Sequence, residues 1–148
     1  MSEPFEGTSD VEELRVSDAM VTNVVTCGPD ENVTKAAQKM AENDVGSVVI
    51  VNEKGSIVGI ITEGDIVRRV VAKGLDPNRT LVRHIMTPNP VTIYEDAPLS
   101  AAADLMSRKR IGHLPVVDRD GRLVGIITRS DIIRYAPGLL EILYLKSV

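Results

Sequence analysis

The phrase Val58-Gly59-Ile60-Ile61-Thr62-Glu63-Gly64-Asp65-Ile66 returns, 66 residues on, as Val124-Gly125-Ile126-Ile127-Thr128-Arg129-Ser130-Asp131-Ile132. The register holds without a gap on both sides. Val16 answers to Val82, Met20 to Met86, Val25-Thr26 to Val91-Thr92 and Ala36-Ala37 to Ala102-Ala103. Met40 answers to Met106, Gly46 to Gly112 and Gly55 to Gly121. Roughly 20 of some 54 aligned positions are identical, too many for chance, so the chain is an internal duplication. Two copies are too few for a solenoid, which needs about three or more units. Two equivalent units packed about a pseudo-twofold axis, burying both apolar faces at one seam, is the simpler expectation.

Each unit reads as strand, helix, strand, strand, helix. Val16 to Met20 is predicted to form one short helical turn, and Val24 to Cys27 a short strand. Gly28-Pro29-Asp30 breaks the chain, after which Asp30 or Asn32 can cap a helix from Val33 to about Asn43. Val33, Ala36, Ala37 and Met40 fall at helical spacing along it. Val48 to Val51 is short and β-branched, hence a strand, and Asn52-Glu53-Lys54-Gly55 carries the glycine that a hairpin turn wants. Ile57 to Ile61 returns as its partner, and a helix follows from Thr62 to about Ala72. The resulting division is a mobile acidic tail over 1–14, a first repeat over 15–73, a polar linker over 74–81, a second repeat over 82–136 and a C-terminal helix over 137–148. That last stretch is apolar enough to form a third layer, or an oligomer contact if it lies outside.

Composition excludes several classes. With 43% hydrophobic and 26% charged residues, the 148-residue chain has the balance of an ordinary globular domain. A net charge of −4, one Phe, three Tyr and no Trp leave little for attracting or stacking nucleic acid, so nucleic-acid binding is not expected. Apolar runs of four or five residues are far short of a membrane span, and the acidic start lacks the order of a signal peptide. The single cysteine, Cys27, fits a reducing cytoplasm. Its counterpart is Ile93, so it reads as a small core residue. No Cys/His spacing implies a metal, and neither a phosphate-binding Gly-x-x-x-x-Gly-Lys loop, a dinucleotide fingerprint nor a nucleophile elbow is present. An enzyme is therefore not expected.

The duplicated βαββα unit carries Asp18-Ala19-Met20 or His84-Ile85-Met86 at its start, Leu114-Pro115-Val116-Val117-Asp118 in its middle and Gly-Ile-Ile-Thr-x-x-Asp near its end. In these features it resembles the cystathionine β-synthase (CBS) domain, and the tandem pair is similar to a Bateman module from about Val16 to Tyr135. The resemblance implies an α/β fold of two CBS repeats. It also implies a role in binding adenine nucleotides (AMP, ADP or ATP) or S-adenosylmethionine-type ligands in clefts between the repeats. No obligatory cofactor is implied. Occupancy would regulate another protein chain, and tandem pairs of this kind commonly form homodimers.

The resemblance also assigns residues. Thr62 with Asp65, and Thr128 with Asp131, correspond to positions used for ribose and phosphate. A Thr with an acid three residues on is equally a helix capping box needing no ligand, and the two roles are compatible. Arg129 and Ser130 beside the second Asp favour a polyphosphate, whereas Glu63 and Gly64 beside the first do not. The second repeat is therefore the expected phosphate site. Gly46-Ser47 and Gly112-His113 correspond to cleft-lining positions; His113 is either a phosphate contact or a half-exposed residue at the start of a strand. Val45 and Ile111 are either apolar contacts to a base or plain core. Val25-Thr26 and Val91-Thr92 correspond to the segment whose backbone reads adenine. Arg108-Lys109-Arg110 reads first as a solvated helix C-terminus. The competing function is a structural, dimerising interaction module whose clefts are vestigial.

Overall fold

The computed structural model describes residues 14–145. All but Leu14 of the expected tail lies outside them. The described residues form two compact units: Asn23–Pro90 is one, and Val91 onward together with the segment ending at Thr22 is the other.

The unit Asn23–Pro90 holds β1 (Thr26–Cys27), α2 (Val33–Asn43), β2 (Ser47–Val51), β3 (Ile57–Thr62), α3 (Glu63–Ile66), α4 (Val82–Ile85) and β4 (Thr87–Pro88). Its sheet runs β1-β2-β3-β4. The first pair is parallel and the other two are antiparallel. The second unit holds α1 (Val16–Ala19), β5 (Ile93–Tyr94), α5 (Leu99–Lys109), β6 (His113–Val117), β7 (Leu123–Thr128) and α6 (Arg129–Tyr135), with the sheet order β5-β6-β7. Both are mixed α/β, in the order strand, helix, strand, strand, helix.

Each sheet is completed by a segment from the opposite half of the sequence. Thr87 pairs with Ile60, and 66 residues away in each case Val21 pairs with Ile126. The repeats read along the sequence and the units read from contacts therefore differ, because the opening turn of each repeat packs with the other repeat's sheet. A glycine permits the approach. A Cβ on Gly59 would lie 2.3 Å from Met86 Sδ, and one on Gly125 2.5 Å from Met20 Sδ.

The helices begin and end where local chemistry dictates. Asn32 caps α2, its side chain accepting from Lys35 N–H at 2.9 Å. The C-caps Asp44 and Arg110 take left-handed backbone, with φ of 52° and 56°. In both hairpins the first loop residue supplies the anchor. Asn52 Oδ1 accepts from the N–H groups of Lys54 and Ser56, and Asp118 Oδ1 from those of Asp120 and Arg122. Gly55 and Gly121 follow at φ of 79° and 83°, where a side chain would be strained. Two expected elements are shorter or looser than read. The first strand covers only Thr26–Cys27, and the helix after Thr62 widens at Val67–Val71 into a π turn closed by Ala72 N–H to Val67 O.

Each unit has its own core. In Asn23–Pro90 it gathers Val33, Ala36 and Met40 of α2 against Val48, Ile50 and Ile61 of the sheet, with Val70, Val82 and Ile85. In the other, Leu99, Ala102, Ala103 and Met106 of α5 meet Leu114, Val116, Ile127 and Ile132, with Val16 and Ala19. The C-terminal stretch, a 3₁₀ turn at Pro137–Leu139 and a π turn at Glu141–Leu145, packs against α5 and sends Leu143, 2% exposed, into that core. No helix among the described residues is long and apolar enough to cross a membrane.

Candidate functional site

Three polar or charged side chains are buried among the described residues: Ser47, Asp65 and Asp131. All three stand where a strand meets a helix. In the second unit β7 ends at Thr128, which is also the N-cap of α6. Asp131 Oδ2 accepts from Thr128 N–H at 2.9 Å and from the Thr128 hydroxyl at 3.0 Å. Thr128 Oγ1 in turn accepts from Asp131 N–H at 3.3 Å. The box satisfies helix N–H groups and holds the buried carboxylate by one oxygen. Its other oxygen, Oδ1, faces Arg134 at 3.8 Å, and with two lone pairs it keeps capacity to accept further hydrogen bonds.

Arg129 is the first residue of α6, and its guanidinium lies across Gly112. A Cβ on Gly112 would fall 2.6 Å from Arg129 Nη1, so the glycine provides the space. The two backbones are joined there by Arg129 N–H to Gly112 O. Arg129 Cζ stands 5.8 Å from the Tyr144 ring centroid. Arg129 Nε is buried and has no hydrogen-bond partner. An unpaired buried donor of this kind costs about 1–3 kcal/mol, which an arriving acceptor offsets. Beside it, His113 pairs across the sheet with Thr128. Because β5 runs parallel to β6, the chain just before Ile93, Val91-Thr92, comes up at this same end of the sheet. Val91 and Ile111 are partly buried against the core, and Thr92 and Ser130 are exposed.

The first repeat builds the same box. Asp65 Oδ2 accepts from Thr62 N–H at 2.9 Å, and Thr62 Oγ1 accepts from Asp65 N–H at 3.2 Å. Ser47 pairs across the sheet with Thr62, and Val25 O accepts from Val49 N–H. Val25-Thr26, Ser47 and Thr62 thus share one end of that sheet. The cations differ. Asp65 Oδ1 faces Arg69 at 3.8 Å, but Arg69 Nη1 is pinned to Ile85 O at 2.9 Å. Arg68 lies over Gly64, its guanidinium 2.8 Å from where a Cβ would stand. Arg68 and Arg134 are equivalent positions that sequence reasoning passed over. Their identity across the 66-residue register was the available signal. Arg108 pairs with Asp104 at 2.9 Å in solvent, so that member of the basic run is held on the helix surface, and Lys109 and Arg110 are exposed at the helix C-terminus.

A cavity of about 430 Å³ opens between α2 and α3, lined by Ala37, Met40, Ala41, Val45, Gly46, Ile66 and Val67, with the exposed acids Asp44 and Glu63. Of the residues expected at a ligand cleft it takes in Val45 and Gly46, but not Val25, Thr26, Ser47, Thr62 or Asp65.

Fold and site together define a class, and the CBS domain matches this chain twice, over 16–72 and 82–138. The chain belongs to the CBS-domain family, as a tandem pair of such domains. It is 42% identical over 127 residues to an uncharacterised protein of Methanopyrus kandleri, covering 86% of this chain and 65% of that one. It spans only 23% of the L-aspartate semialdehyde sulfurtransferase of Methanocaldococcus jannaschii, another relative. Among solved structures it resembles the CBS domain pair of protein MJ0100 in complex with 5′-methylthioadenosine and S-adenosylmethionine. There the TM-score is 0.76 at 34% identity, over 84% of this chain and 97% of that one. It also resembles CBSX2 in complex with AMP, with a TM-score of 0.70 at 27% identity, over 85% and 98% of the two chains.

Proposed function

We propose that this protein is a regulatory module that binds an adenosyl ligand, with its phosphate-preferring site at the Thr128 end of the second repeat. The observation that carries the reading is Arg129 Nε, a buried cationic donor without a partner, beside a carboxylate whose Oδ1 can accept from a ribose hydroxyl. Related domain pairs bound to AMP, 5′-methylthioadenosine and S-adenosylmethionine support the ligand class. Val91-Thr92 and His113, at the same end of the sheet, are the further residues of that site. At the first repeat Val25-Thr26, Val45, Gly46, Ser47, Thr62 and Asp65 are the corresponding set. There Glu63 opposes a phosphate, which favours the vestigial-cleft alternative for that half alone.

Occupancy acts on another protein chain, and the module works as a homodimer in the cytoplasm. A ligand shifts such an equilibrium only by as much as its affinities for the two states differ. Sedimentation at micromolar concentration checks the pairing; a clean monomer removes it.

The ligand test is calorimetric titration with AMP, ATP, S-adenosylmethionine and 5′-methylthioadenosine. Arg129→Gln is expected to weaken AMP about tenfold, or about 1.4 kcal/mol, and to leave uncharged 5′-methylthioadenosine unchanged. Asp131→Ala is expected to weaken all of them, since the ribose is common to all. Absence of heat from every ligand at millimolar concentration removes the sensor reading and leaves the interaction module.

A further inference from the structure

The side chain that carries the phosphate preference of the second repeat also touches the C-terminal segment. Arg129 Cζ stands 5.8 Å from the centroid of the Tyr144 ring, within reach of a cation–π contact. Its Nη1 lies over Gly112, 2.6 Å from where a Cβ would stand. Leu143, 2% exposed, anchors the backbone beside the ring by joining Ala103 and Met106 in the core. Tyr144 itself is 45% exposed, so core packing does not account for an aromatic at this position. The duplication supplies a comparison. At the positions equivalent to Arg129 and Tyr144 the first repeat has Glu63 and Asn78. The cation and the ring occur together in one repeat and are both missing from the other.

A guanidinium can meet an aromatic ring through its face while its N–H donors, which lie in its plane, bond to an oxyanion. The contact with Tyr144 therefore leaves donors to spare, and Arg129 Nε is buried without a hydrogen-bond partner. A freely rotating arginine loses rotamer freedom when it grips a phosphate. One already held against a ring loses less, and the ligand binds more tightly by the difference.

We propose that Tyr144 is a positioning residue for the phosphate-preferring site: its ring holds Arg129 ready for an anionic ligand, and through that contact the C-terminal segment responds to occupancy. The role rests on the adenosyl-ligand reading of the Thr128 end. Coupling between two groups is reciprocal. A phosphate held by Arg129 thus fastens Pro137–Leu145 by the same factor as Tyr144 tightens the phosphate. The segment is then the element whose stability reports that an anionic ligand is bound.

The test is calorimetric titration of the full chain, Tyr144→Leu and Tyr144→Phe with AMP and with uncharged 5′-methylthioadenosine. Tyr144→Leu, which keeps an apolar side chain but removes the ring, is expected to weaken AMP about three- to fivefold. Tyr144→Phe keeps the ring and should restore AMP binding to within about twofold of the parent. Neither variant should change 5′-methylthioadenosine. In the Arg129→Gln background, Tyr144→Leu should add no further loss, because the cation it positions is gone. Hydrogen exchange at residues 140–145 should slow on adding AMP, and should quicken in ligand-free Arg129→Gln. Melting curves confirm that each variant is folded. Unchanged AMP affinity in Tyr144→Leu overturns the proposal. Equal weakening of AMP and 5′-methylthioadenosine also overturns it, since that is the mark of a loosened segment and not of a positioned cation. If the parent binds neither ligand, the adenosyl reading falls and takes the positioning role with it, even where exchange in Arg129→Gln shows the two side chains to be coupled.

Discussion

Gly59 and Gly125 are glycines because a methionine sulfur occupies the space that a side chain would need. Each methionine is carried by the opening turn of the other repeat, so the two residue types are coupled over long sequence distance. Gly125→Ala is expected to destabilise the protein by about 1–3 kcal/mol through overpacking. Met20→Ala in the same chain should return part of that loss. The cycle of two single variants and the double, followed by urea unfolding, measures the coupling. Additive effects would show that Met20 does not fill the space over Gly125. Cys27 belongs to the same scale. Its thiol, 3% exposed, is pushed from 9.0 up to about 11 by burial and by the Glu31 carboxylate, with Lys39 opposing. A raised pKa means that the folded state holds the proton longer than the unfolded state. This contribution to stability is therefore complete below pH 9 and is lost as pH rises toward 11. Iodoacetamide should label the native thiol slowly at pH 8 and promptly in urea. Equal rates would place the thiol in solvent.

At the scale of elements, the two capping boxes make a controlled comparison within one molecule. They share the Thr N–H to Asp bond and its return bond, but the second adds the Thr128 hydroxyl donating to Asp131 at 3.0 Å. Thr→Val at an N-cap costs about 0.5–2 kcal/mol. Thr128→Val is expected to cost more than Thr62→Val, read as the difference between their urea midpoints at constant slope. The reverse order would show that the extra hydroxyl bond adds nothing. These boxes were legible in the sequence, as were α2, the hairpins and their glycines, because spacing, capping residue and turn residue lie within a few positions of each other. The π turn at Val67–Val71 and the exchange of Val16–Val21 with Val82–Pro88 were not, since they depend on packing with residues distant in sequence. At the candidate site the Thr and Asp of each box were legible for the same local reason. Arg68 over Gly64 was not, because its guanidinium reaches back one helical turn.

For the whole molecule, the duplication explains what the two units share, and the C-terminal segment explains where they part. An apolar tail was legible over Leu139–Leu145, but its seat was not, because the first repeat is followed by the polar linker and offers no internal precedent. The groove it fills is lined by Ala103, Met106 and Ile132, all with 0% exposure, and it buries Leu143 to 2%. Full burial of one such leucine is worth about 1.5–3 kcal/mol. Leu139 and Ile142 add partial burial, so removing residues 137–148 is expected to cost at least about 2 kcal/mol. In a domain of this size, urea unfolding should show that loss as a lower midpoint. The truncated chain also leaves an apolar groove uncovered on each repeat, in place of one. Such a surface favours association, so its sedimentation coefficient should rise with concentration more steeply than that of the intact protein. A truncated chain with an unchanged midpoint would mean that the segment rests on α5 without contributing to stability. The capping box of Thr128 and Asp131, which does not involve the segment, would be unaffected in either case, whereas Arg129 would lose its contact with the Tyr144 ring.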